Sequence, residues 1–232
     1  TFGEVRYGDL FNGMLFDCGG HLSLDGENAG LVPDAVERWL LARAQREDTL
    51  HHVHLPSHPM GWTAGKWREW YPDYLEHTDS MVRSVEPDEQ GNKYMWQEGW
   101  WLQHQRLVEA LCKQRGRAAL TVSGDLHALG AIRVERSAGL DLRQNPLHCV
   151  LSGTTGTGEM GWPSRARGVI ARVPRDMEVA THLELEERNG FSVLDFDREN
   201  CRVVTWRSPQ GYVPPEELSL ERAVDFAIPR PA

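Results

Sequence analysis

The stretch AALTVSGDLHALG, residues 118–130, combines a buried-looking strand with two polar side chains. A run of apolar and small residues ends at Ser123-Gly124, where glycine lets the chain turn sharply. Asp125 and His127 follow two positions apart, so an extended loop would point both side chains into one cleft. A carboxylate with an imidazole suits Zn, Mn or Fe. An ordinary Gly-Asp turn followed by a loop histidine fits the same residues, and both interpretations stay open at this point.

The segments before this strand predict alternating strands and helices. Strands are expected at 12–17 and 50–59, and helices at 34–46 and 99–116, with 118–124 as the third strand. Pro33-Asp34 is a typical helix start, and Leu107, Val108 and Leu111 form an apolar stripe at helical spacing. This order is typical of an α/β sheet with parallel strands. Ligands bind at the carboxyl ends of such strands, which is where Asp125 and His127 stand.

The remainder of the chain has a different pattern. Strand-like segments dominate after residue 128, and the turn at 197–200 predicts a hairpin between the last two. One domain, 1–232, is therefore expected, with a sheet and crossover helices over 10–127 and a β-rich second layer over 128–207. The proline-rich residues 208–232 are expected to form a tail laid over the surface.

Composition limits the classes of partner. The formal net charge of −9 argues against nucleic acid or an anionic membrane. A small phosphorylated substrate remains compatible, because a metal or arginine can invert the local field. No apolar stretch approaches the length of a membrane span. The four cysteines form no CxxC pair, which predicts reduced, buried thiols and favours a cytoplasmic protein.

Several separated stretches of the sequence carry a family resemblance. VSGDLH at 122–127 follows a helix containing HQRLVEAL, and upstream lie LFDCGGHLSLDG, ERWLLAR and HLPSHPMGWTAGKWREWYPD. Together they resemble the C-terminal half of alkaline phosphatase D-type enzymes, which belong to the calcineurin-like metallophosphoesterase superfamily. The similarity runs over roughly residues 10–170 and implies a metallophosphoesterase-like β-sandwich flanked by helices.

The resemblance implies hydrolysis of phosphate esters by a two-metal centre. Asp125 would bind one metal and His127 the other, with Mn, Zn, Fe or Ca as the ions. His58 is a candidate third ligand, and His54 competes with it. The N-terminal metal motifs of the superfamily are not found in this sequence, so the chain is expected to be the C-terminal part of a longer enzyme. The alternative is a non-catalytic remnant or interaction domain that keeps the fold and has lost the metal centre.

Two further segments of the sequence bear on substrate binding. Gly19 and Gly20 stand where the resembled subgroup carries arginines, which puts phosphate binding by that loop in doubt. The segment 56–101 holds six tryptophans. It is either a lid whose Lys66 or Arg68 contacts phosphate, or an aromatic cover for the core.

Two other patterns in the sequence do not indicate a functional site. His52 and His54 are expected on one face of their strand and His51 on the other, in structural roles. The glycine-rich residues 152–162 lack the Gly-Lys-Ser/Thr of a nucleotide-binding loop, and no Gly-x-Ser-x-Gly elbow supports a serine hydrolase.

Overall fold

A computed structural model of the chain describes residues 2–63, 97–156, 164, 171–211 and 213–231. Within these residues the helices are α1 (Asp34–Ala44) and α2 (Glu98–Cys112), with single 3-10 turns at Gly26–Asn28 and Pro215–Glu217. The strands are β1 (Phe2–Tyr7), β2 (Phe11–Phe16), β3 (His51–Pro56), β4 (Leu120–Ser123), β5 (Leu129–Ser137), β6 (Leu140–Asp141), β7 (Leu147–Ser152), β8 (Met177–Glu186), β9 (Gly190–Phe196), β10 (Asn200–Arg207) and β11 (Glu221–Pro229).

The larger sheet has the order β1-β2-β3-β4-β7-β5-β6, with β8 paired to β5. Its centre is parallel: β2 pairs with β3, β3 with β4, and β4 with β7, all in the same direction. The antiparallel strands β1 and β5 flank this centre. The register places Phe16 beside Pro56 and Ser123 beside Leu151, so the parallel strands end at one edge. The predicted α/β architecture with parallel strands is confirmed.

Both helices pack on one face of this sheet. Leu40 of α1 and Leu107 and Leu111 of α2 are buried in the same apolar cluster as Met14 and Phe16 of β2. Trp62 and Trp100, from the tryptophan-rich segment, also lie in this cluster. Both therefore pack as core residues, in line with the reading of this segment as a cover. The segment's residues 64–96 lie outside the described part of the chain.

Gln103 joins the two helices through a buried polar contact. Its Oε1 accepts the backbone N–H groups of Leu31 and Val32 at 2.6 and 3.0 Å. Its Nε2 donates to the Val32 carbonyl at 3.1 Å and to Glu37 Oε2 at 2.8 Å. Arg106 of α2 then pairs with Glu37 of α1, with Nε and Oε1 2.5 Å apart. The chain that leads into α1 is thereby fixed against α2.

A smaller sheet covers the opposite face. It has the order β11-β10-β9, and Val203 and Ile228 pack with Val53 and Leu120 of the larger sheet. The expected hairpin between β9 and β10 is present. The expectation of a surface tail over 208–232 is wrong, because Glu221–Pro229 is a strand that pairs with β10 along its length. The prolines at 214, 215 and 231 lie outside the strand, and Pro229 is its last residue. The proline-rich composition of the segment as a whole therefore did not indicate the strand.

The prediction that 128–207 form a separate second layer is wrong in part, because β5, β6, β7 and β8 belong to the larger sheet and only β9 and β10 of that range lie in the smaller one. The other corrections are local. Strands β1 and β6 were not predicted, and α2 ends at Cys112 rather than at residue 116. The four cysteines are free, as expected; Cys18, Cys149 and Cys201 are buried, whereas Cys112 is half-buried. No helix in the described part of the chain is long and apolar enough to cross a membrane.

Candidate active site

Asp125 and His127 lie in a strained turn directly after β4. The backbone φ is 78° at Asp125 and 51° at His127, although neither residue is glycine. The N–H of Leu126 donates to the carbonyl oxygen of Gly124 at 3.1 Å, which closes a γ-turn around Asp125. Leu126 is buried and Asp125 is exposed, so the side chain of Leu126 anchors the turn in the core while that of Asp125 faces solvent. Non-glycine residues held at positive φ are uncommon and cluster at functional sites.

The loops after β2 and β3 meet at the same edge. Ser57 donates its hydroxyl to Asp17 Oδ1 at 3.0 Å and accepts the backbone N–H of Cys18 at 2.8 Å. The ring nitrogen Nδ1 of His58 lies 3.4 Å from the same hydroxyl oxygen. The contacts of Ser57 with Asp17 and Cys18 span 40 and 39 positions in the sequence and follow from the parallel register of β2 and β3.

Cys18 lies where the loops after β2 and β3 meet. Its thiol is buried, and burial raises its pKa to about 12, with a further increase from the negative charges of Asp17 and Asp125. A backbone hydrogen bond from His58 acts in the opposite direction. Cys18, in the loop after β2, therefore contacts the loop after β3 through the hydroxyl of Ser57 and the backbone of His58.

The backbone N–H groups of the loop after β2 point towards the carboxylate of Asp17. Gly19 donates its N–H to Asp17 Oδ1 at 2.9 Å, and hydrogen bonds from Ser57, Gly20 and Gly19 hold the pKa of Asp17 below its usual value. The donors that could have held a phosphate are therefore engaged with Asp17 and Ser57. This agrees with the doubt raised by the glycines at 19 and 20.

The predicted residues differ in where they lie. Asp125, His127 and His58 follow the ends of β4 and β3, at one edge of the sheet. Within the described ranges, however, no group of three or more His, Cys, Asp or Glu side chains is arranged to hold a metal ion. The described residues thus do not fit a complete metal site. Lys66 and Arg68 lie outside the described residues.

His54, the competing ligand, lies beneath the edge. It is fully buried and contacts the rings of Phe16 and His52, with centroids 5.4 and 5.3 Å away. Burial holds its pKa well below the ordinary value. His51 faces the other way and contacts Phe196 of the smaller sheet, which confirms the predicted division of the histidines between two faces.

Asp17 and Ser57 are site residues that the sequence interpretation did not assign. Each directly follows the end of a parallel strand, which is the same signal that pointed to Asp125. Applying that rule to β2 and β3 as well as to β4 would have found both residues.

Comparison with known proteins shows a structural likeness. No protein-family model matches the sequence, and no curated protein matches it either. The fold is similar to that of PhoD. A solved PhoD structure superposes with a TM-score of 0.58 at 10% sequence identity, covering 99% of this chain and 42% of that one.

At this identity the PhoD likeness shows the fold alone. The expected arrangement of a large sheet flanked by helices and packed on a second sheet is confirmed in the described residues, and it is similar to the PhoD fold. The chain spans less than half the length of the PhoD chain it matches.

Proposed function

We propose that this chain takes part in the metal-dependent hydrolysis of phosphate esters, as a phosphatase or phosphodiesterase. The PhoD-like fold supports the phosphoesterase class. The observation that carries the proposal is the turn after β4, which holds Asp125 and His127 at positive φ at the carboxyl edge of the parallel strands. The cost of such a conformation, about 1–3 kcal/mol per residue, is kept where the geometry serves a function.

In this proposal Asp125 and His127 are ligands of a centre of two divalent or trivalent ions, and His58 is a third ligand. Carboxylate and imidazole suit Mn, Zn or Fe, and Ca prefers oxygen ligands. The described residues do not complete such a centre, so the proposal requires ligands in addition to Asp125, His127 and His58. The substrate is a small phosphorylated molecule, with Lys66 and Arg68 as its contacts. Neither nucleic acid nor a membrane is a proposed partner, and the proposed location is the cytoplasm.

The test compares metal content and hydrolysis in matched variants. Purified protein is dialysed, analysed for metals, and assayed with a chromogenic phosphate monoester and diester in the presence of Mn, Zn, Fe or Ca. Asp125→Asn and His127→Ala should each lower bound metal and hydrolysis by about 100-fold or more. Asp176→Asn removes an exposed carboxylate between strands and should change neither quantity.

Two results would contradict the proposal. Wild-type activity in Asp125→Asn or His127→Ala would show that these residues hold no essential metal. Binding of phosphate esters without turnover, in wild type loaded with each metal, would favour the alternative of a non-catalytic binding domain with the same fold.

A further inference from the structure

The hydroxyl of Ser57 uses all of its hydrogen-bonding capacity at the edge of the sheet. A serine hydroxyl has one proton to donate and two lone pairs that accept. The Ser57 hydroxyl donates its one proton to Asp17 Oδ1, 3.0 Å away. The backbone N–H of Cys18, at 2.8 Å, occupies one lone pair. The N–H of Gly19 lies 3.5 Å from the same oxygen but donates to Asp17 at 2.9 Å.

One lone pair of Ser57 therefore remains for His58, whose Nδ1 lies 3.4 Å away. Since Ser57 has no second proton, this contact is attractive only if Nδ1 carries the hydrogen and donates it. We infer that Asp17 and Ser57 are positioning residues that hold neutral His58 in the Nδ1–H form, with the lone pair on Nε2. The hydrogen bond made by one ring nitrogen of a histidine decides the state of the other.

This inference deepens the proposed function and rests on it for its role in the chemistry. A histidine that binds a ligand or accepts a proton does so through the nitrogen that lacks a hydrogen. Fixed by Ser57, His58 offers that nitrogen as Nε2 whenever the ring is neutral. Histidines that bind metals commonly donate their other ring N–H to an acceptor, which fixes the tautomer and the ring orientation in this way.

The glycines of the loop support the arrangement. A Cβ added at Gly20 would lie 2.9 Å from Asp17 Oδ2, so a side chain there would push the carboxylate out of place. A Cβ added at Gly19 would lie 3.5 Å from both Asp17 Oδ1 and His58 Cε1, which is ordinary contact. The two positions provide a matched pair of substitutions, of which only one should disturb Asp17.

The experiment is long-range ¹H–¹⁵N correlation NMR on protein labelled with ¹⁵N-histidine, at a pH where His58 is neutral. The His58 signals are assigned by their loss in His58→Gln. Wild type should show protonated Nδ1 and bare Nε2. Ser57→Ala should move His58 towards the Nε2–H form, and Ser57→Thr, which keeps the hydroxyl, should preserve the wild-type pattern. Gly20→Ala should shift the pattern as Ser57→Ala does, and Gly19→Ala should leave it unchanged.

The outcomes separate this inference from the proposed function. An Nε2–H form in wild type, or an unchanged pattern in Ser57→Ala, would overturn the inference whatever the enzyme activity. Absence of hydrolysis in all metal-loaded preparations, with the Nδ1–H form present and lost in Ser57→Ala, would overturn the proposed function and leave the positioning role of Ser57 standing.

Discussion

The N–H of Leu126 donates to the carbonyl oxygen of Gly124 at 3.1 Å, and the turn that it closes forces Asp125 to a φ of 78°. An aspartate at this position is less favourable than glycine for the backbone. A purely structural turn would gain from glycine, whereas a functional turn needs the carboxylate.

Asp125→Gly should therefore separate stability from activity. The free energy of unfolding in urea should stay the same or rise by up to about 1 kcal/mol, because the strain is relieved. Ester hydrolysis should be lost. Ala138→Gly is the control: Ala138 has a φ of 49° in an exposed turn, so glycine there relieves similar strain and should leave hydrolysis unchanged. A loss of more than about 2 kcal/mol in Asp125→Gly would show that the carboxylate is structural.

Gln103→Leu should destabilise the junction of the two helices. The substitution keeps much of the volume but leaves the N–H groups of Leu31 and Val32, and the carboxylate of Glu37, without this buried partner. We expect a loss of roughly 2–4 kcal/mol in the free energy of unfolding, measured in urea. Gln45→Leu, at the exposed end of α1, should change it by less than about 0.5 kcal/mol. Equal effects of the two variants would contradict the role of Gln103.

The sequence predicted those parts of the fold that local pattern determines. Strands β2, β3 and β4 are short, mostly buried segments that are followed by, or end at, a proline or a polar residue, and α1 and α2 carry apolar stripes. Strand β1 was missed because five of its six residues are exposed and, among the described strands, it pairs with β2 alone. The position of Asp125 could be predicted, but its positive φ could not, since nothing in the sequence marks a non-glycine residue for that conformation.

The contacts of Ser57 were beyond sequence reasoning for a different reason. Asp17 and Ser57 are 40 positions apart, and they meet only because β2 and β3 pair in parallel with Phe16 beside Pro56. A shift of one residue in this register would turn Ser57 to the other face of the sheet. Register depends on the packing of whole faces rather than on any local motif.

Buried histidines should make the fold sensitive to acid. Burial, with a smaller effect from Arg117, lowers the pKa of His52 to about 4, and burial lowers the pKa of His104 and His148 to about 3. These three histidines therefore stay neutral in the folded state at pH values below about 6.5, where the same histidines become protonated in the unfolded state. Stability should be complete above that pH and should fall as the pH drops towards 4, by about 1.4 kcal/mol per pH unit for each histidine.

Urea unfolding at pH 7.5, 6, 5 and 4.5 measures this dependence. His52→Leu should reduce the slope below pH 6 by about 1.4 kcal/mol per pH unit, because one proton fewer is taken up on unfolding. A free energy of unfolding that stays level between pH 7 and pH 5 would mean that these rings are accessible to protons in the folded state.

Strand β11 provides the last test, because the sequence assigned its residues to a surface tail. Ile228 is 1% exposed, pairs with Cys201 of β10, and packs in the cluster that joins the two sheets. Ile228→Ala should cost about 2–4 kcal/mol, as expected for truncating a buried aliphatic side chain. Leu218→Ala, at a position 53% exposed just before the strand, should cost less than about 0.5 kcal/mol.

Removing residues 213–232 should uncover Val203 and Cys201 and give aggregated or unfolded protein. A truncated protein with the wild-type unfolding midpoint would show that β11 is dispensable and that these residues behave as a tail.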